Sequence, residues 1–134
     1  QVDRESPLSI ADLPLVLRLV EQALALDPSY WFAGPDTFLG FYNGSLPKML
    51  GGKPEIAKAH FESALAITHR KFLMTQFMFA RSYAIQVQDR NLFEMLLKEV
   101  IQTTEDELPE AALSNAVARE KAGRLLQKAD ELFQ

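Results

Sequence analysis

From Gly51 to Thr68 the chain reads GGKPEIAKAHFESALAIT, with apolar and polar positions separated as on an amphipathic helix. Ala57, Phe61, Ala64, Leu65 and Thr68 fall on one side at 3.6 residues per turn, while Lys58, Glu62 and Ser63 face away. Pro54 suits a first helical position, where no N–H is needed, and Gly51-Gly52 breaks what precedes it. The small residues on the buried stripe allow a neighbouring helix to approach closely.

The same reading extends along the chain. Residues 1–12 form a polar lead-in segment, and residues 13–134 read as a single helical-repeat domain, since about 100 to 150 residues is the commonest domain size. Leu13, Val16, Leu17, Val20, Ala23 and Leu24 mark the inner face of a first helix that stops at Asp27-Pro28. Gly34-Pro35 opens a second helix, which ends between Gly44 and Pro47, and the helix from Pro54 is the third. KFLMTQFMFARSYA, from Lys71 to Ala84, is apolar almost all round and predicts a central fourth helix. After a turn over Ile85 to Asp89, a fifth helix points Leu92, Phe93, Leu96, Leu97, Val100 and Ile101 inward. A last helix begins at Pro109 and reaches Phe133. Its seam is Ala111, Asn115, Ala118, Ala122, Leu125, Ala129 and Leu132, with Asn115 as the one polar interruption.

Weak internal repeats connect these elements. Ala23-Leu24-Ala25-Leu26 matches Ala64-Leu65-Ala66-Ile67 at an offset of 41, and Ile56, Ala64 and Leu65 match Leu92, Val100 and Ile101 at an offset of 36. Such offsets belong to helix-hairpin solenoids, in which each hairpin buries its face on the next. The expected fold is all-α: stacked antiparallel hairpins in a right-handed, tetratricopeptide-like array of about six helices. The spacing of Ala57, Phe61, Ala64 and Leu65 fits the second helix of a tetratricopeptide repeat, but Lys48 stands where its first helix needs an aromatic.

Composition narrows the function. A net charge of −4 leaves no basic face for phosphate neutralisation, so nucleic acid is not an expected partner. No apolar run approaches the roughly 18 to 20 residues that span a bilayer. The absence of cysteine excludes disulfides, thiolate chemistry and cysteine-ligated zinc. The chain starts at Gln1 without an initiator Met, as a mature or trimmed product does. His60 and His69 are nine residues apart, too far to share a metal on one helix face, and each reads as structural or exposed. No phosphate-cradling glycine pattern, nucleophile–base pair or paired acid stands out, so neither an enzyme nor a cofactor is expected. Glu105, Asp106, Glu107 and Glu110 suit the positive end of the helix that follows.

Two constellations carry more. Arg81 lies in an otherwise apolar helix, where a guanidinium needs a carboxylate, and Asp89 can serve both as that partner and as the N-cap of the next helix. The alternative role for Arg81 is to grip the polar head of a ligand. Of thirteen aromatics, Tyr30, Trp31, Phe32, Phe38, Phe41 and Tyr42 crowd one stretch and Phe72, Phe77, Phe79 and Tyr83 another. Both stretches fall on first helices of hairpins, which line a solenoid's concave face, and suit an apolar cavity better than a charged groove. The bland alternative is that they are plain core.

The succession ALALDPSYWFAGPDTFLG, KMLGGKPEIAKAHFESALAI, KFLMTQFMFARSYAIQVQDRNLFEMLLKEV and LPEAALSNAVAREKAGRLLQKADELF resembles the T component of tripartite ATP-independent periplasmic (TRAP) transporters. The Phe72 to Val100 block weighs most, through Ala80-Arg81, Tyr83-Ala84 and Asp89-Arg90. The resemblance implies a non-enzymatic periplasmic accessory protein that meets the TRAP substrate-binding protein and holds or passes a hydrophobic, lipid-like ligand. It also implies further upstream helices, a lipid anchor on an N-terminal cysteine as the sole membrane attachment, and an architecture compatible with a homo-oligomer. This sequence contains no cysteine and reads as the C-terminal part of such an architecture. A generic tetratricopeptide-like adaptor for a peptide or protein partner is the competing expectation.

Overall fold

A computed structural model describes residues 13–134; the lead-in segment 1–12 and the side chain of Leu13 lie outside the described residues. The described residues are all-helical, with seven α-helices packed against one another. These are α1 (Leu13–Leu26), α2 (Tyr30–Ser45), α3 (Pro54–Thr68), α4 (Leu73–Phe79), α5 (Arg90–Gln102), α6 (Ala112–Leu126) and α7 (Ala129–Leu132). A π-turn, Ala80–Ala84, continues α4, and short 3-10 turns stand at Lys48–Leu50 and Pro109–Ala111.

Consecutive helices are neighbours: α1 on α2, α2 on α3, α3 on α4, α4 on α5 and α5 on α6. That order is compatible with a tetratricopeptide-like array. α4 also touches α2 and α6, so it occupies the middle of the molecule, as an all-round apolar helix must. The helix from Pro54 ends at Thr68, where His69 takes a left-handed conformation (φ 54°) and its N–H bonds back to the helix carbonyls. All five residues expected on its inner face are buried.

α2 and α3 approach closely because α2 offers glycines. A Cβ on Gly40 would lie 2.8 Å from the ring of Phe61, and one on Gly44 would meet Ala57 and the carbonyl of Ser82. Phe61 stacks in turn on Phe79 of α4, with ring centres 4.9 Å apart. The core continues through Phe93, Leu96, Leu97 and Val100 of α5 to the alanine seam of α6, and Phe133 closes it edge-on against Phe93.

Three expectations are corrected. Ile101 is exposed, because α5 presents only a narrow stripe to α4 and α6. Val16 is likewise exposed on α1, whose main contact among the described residues is with α2. The last helix is not continuous: the chain turns at Gln127 and Lys128 before α7, which brings Phe133 back over α5.

Candidate functional site

The α1–α2 connection sets the geometry of the aromatic stretch. Asp27 Oδ1 accepts hydrogen bonds from the N–H (3.1 Å) and hydroxyl (2.7 Å) of Ser29, which turns the chain. Trp31, Phe32 and Ala33 then take left-handed conformations, with φ of 47°, 56° and 60°. Regular right-handed helix therefore starts near Gly34-Pro35, where the proline ring is tolerated. Each left-handed non-glycine residue costs about 1 to 2 kcal/mol, so packing must hold this turn in place. Ala33 is fully buried, and Phe32 stacks on Phe72 with ring centres 4.7 Å apart and planes 6° from parallel. The consequence is outward projection: Trp31 is 69% exposed and Tyr30 62%.

Apolar grooves flank Trp31. One, of about 480 Å³, runs between α1 and α2 and is lined by Val16, Leu19, Val20, Tyr30, Trp31 and Phe38. The other, of about 530 Å³, lies between Trp31 and Phe32 on one side and Ile67, Lys71 and Leu108 on the other. Of the aromatics expected to line a cavity, Tyr30, Trp31, Phe32 and Phe38 therefore gather here. Phe41 lines a separate recess with Arg81, and Tyr42 is half-buried. Phe77 is core, and Tyr83 packs on Phe79 at the edge of the core. A single cavity holding the whole aromatic set is not what the helices build: Tyr30, Trp31, Phe32 and Phe38 line the grooves, Phe41 lines a separate recess, and Phe77 is buried in the core.

The expected Arg81–Asp89 ion pair does not form. The π-turn leaves Arg81 exposed, so it needs no buried partner, while Asp89 Oδ1 accepts from the N–H of Leu92 at 3.0 Å. The N-cap half of the expectation stands. His60 is structural. Its Nδ1 lies 2.8 Å from Oδ1 of the buried Asp36, whose Oδ2 accepts from the Ser63 hydroxyl at 2.9 Å. This cluster ties the first turn of regular helix in α2 to α3. Ser63 is bonded to Asp36, not to the imidazole, so the three residues do not form a nucleophile–base relay. Among the described residues no cluster of three or more His, Cys, Asp or Glu could hold a metal ion.

The T-component family model of TRAP transporters matches residues 1–133 of the 134-residue chain. The chain belongs to the TRAP transporter T-component family. This is a family of transport accessory proteins, not of enzymes, and membership associates the chain with a TRAP transport system. No curated protein matches the chain closely enough to count as a relative. No helix among the described residues of this T-component is long and apolar enough to cross a membrane.

Sequence reasoning missed the α1 wall of the groove. The signal was present: Leu19 is an apolar residue left over once the inner face of α1 is assigned, and it lines the groove beside Val16, Val20 and Ala23. A helix apolar nearly all round but covered on one side presents its surplus as a surface.

Proposed function

We propose that this T-component works in the periplasm, meets the substrate-binding protein of its TRAP system, and holds an apolar ligand in the α1–α2 groove beside Trp31. The observation that carries this reading is the strained left-handed turn that keeps Trp31 exposed between two apolar grooves. Strain of this kind persists where surrounding packing enforces it and is concentrated at ligand clamps. α1 contacts α2 and no other helix extensively, so it can shift to admit a chain of methylenes without disturbing the core.

Titration with dodecanol tests the ligand, read by the emission of Trp31, the only tryptophan. Saturation near one site, with a shift in emission and a higher melting temperature, is expected. Leu19 is exposed and lines the groove, so Leu19→Asp should abolish binding while leaving the fold intact. Dodecanol binding unaffected by Leu19→Asp would refute the site. Co-purification with the cognate substrate-binding protein, repeated with Trp31→Ala, tests the partner. Binding of a peptide but not of dodecanol or the substrate-binding protein would favour the adaptor reading.

A further inference from the structure

At the other end of α2, Phe41, Ser45, Arg81, Ser82, Ile85 and Gln86 surround a recess of about 460 Å³. Its floor depends on close backbone approach. Gly44 lies against the carbonyl of Ser82, where any Cβ would collide, so α2 meets the π-turn without a side chain between them. The π-turn itself is uncommon structure, found mostly as single turns within α-helices and frequently at functional sites. Its wider turn brings Ser82 round into the packed interface while Arg81 remains exposed. Gln86 fastens the rim by donating from Nε2 to the carbonyl of Ser45 at 3.0 Å.

Among the described residues no carboxylate meets the charge in this recess. From Arg70 onward the chain has five arginines; among the described residues Arg70, Arg90, Arg119 and Arg124 each meet a carboxylate, and Arg81 meets none. Asp89, the acid nearest to it in sequence, is engaged in capping α5. The recess thus combines an exposed guanidinium, serine hydroxyls on two helical segments, and an apolar wall formed by Phe41 and Ile85.

We infer that this recess is a binding site for a small organic monocarboxylate with a short apolar tail. The planar guanidinium fork of Arg81 matches a carboxylate bidentately, with Ser45 or Ser82 completing its hydrogen bonds and Phe41 and Ile85 covering the tail. A single arginine neutralises one negative charge, so a monoanion fits better than a phosphate dianion. The site is separate from the Trp31 grooves and does not depend on what they hold.

Hexanoate and hexanol, which share a tail and differ in charge, are the probes, followed by amide NMR shifts on the full chain. Hexanoate should saturate and move Ser45, Ser82 and Gln86, with hexanol weaker by about tenfold or more. Arg81→Met should weaken hexanoate by about tenfold while melting like the parent, because Arg81 is exposed. Arg81→Lys should fall between, since an ammonium supplies charge without the fork. Leu19→Asp should leave hexanoate binding unchanged, which separates this site from the groove. Equal affinity for hexanoate and hexanol, unchanged affinity in Arg81→Met, or shifts confined to other residues would each overturn the proposal.

Discussion

Replacing Asn115 with alanine should destabilise the protein by about 2 to 4 kcal/mol, although Asn115 touches no proposed ligand. α4 begins at Leu73, and the residue at its N-cap is Phe72, whose side chain has no acceptor. The first N–H of α4 is instead satisfied from α6, by Asn115 Oδ1 at 2.9 Å. Asn115 Nδ2 donates to the carbonyl of Lys71 and to Asp106 Oδ1, both at 3.1 Å. One side chain thus fastens α6 to the α3–α4 turn and to the loop before α6. Leu73 is fully buried, so losing its acceptor leaves a donor that water cannot easily reach, at about 1 to 3 kcal/mol. The vacated volume adds a smaller cavity cost. Loss at Asp106 matters less, because Arg119 Nη2 also donates to it, at 2.8 Å. For a chain of 134 residues the total corresponds to a fall in melting temperature of roughly 7 to 14 °C. Calorimetry or urea unfolding measures it, with Lys121→Ala on the exposed side of α6 as a control within about 0.5 kcal/mol. An Asn115→Ala loss as small as the control would refute the argument that α6 caps α4.

Gly40→Ala places a methyl against the ring of Phe61, which cannot retreat because it stacks on Phe79; thermal melts should show a loss of about 1 to 3 kcal/mol. Asp89→Ala should cost about 1 kcal/mol through the lost cap of α5, whereas Arg81→Met should be nearly silent, and the double variant should equal the sum within experimental error in urea titrations. The Glu99 carboxyl is penalised by burial, but hydrogen bonds from Arg70 and Gln76 and the charge of Arg70 outweigh this and hold its pKa below the ordinary glutamate value. A carboxylate depressed in the folded state contributes fully above its unfolded pKa, near 4.5, and that contribution is lost as pH falls through the lower folded value. Urea unfolding should therefore show stability declining below about pH 4.5, with a shallower decline in Glu99→Gln.

The helices and their inner faces were legible in the sequence because each depends on neighbours within a few residues. Pro54 fixes where α3 starts, and the period of its apolar positions fixes the face that Phe61 and Leu65 bury. The same local logic located α1, the start of regular helix at Pro35, and the seam of Ala118 and Ala122. Family membership was equally readable, since a succession of residues carries it. Polar pairing was not. Asp36 and His60 are 24 residues apart and Asn115 and Leu73 are 42 apart, and each pair meets only once the intervening helices have docked. The candidate site divided along the same line. Clustering of Tyr30, Trp31 and Phe38 could be read directly, but the left-handed turn that turns Trp31 outward is enforced by Ala33 and Phe32 fitting against distant residues. Arg81 shows the limit most plainly. Its apolar neighbours suggested burial and an ion pair, yet a π-turn leaves it exposed, because hydrophobic period records the helix a segment prefers and packing decides where that helix must bend to fit.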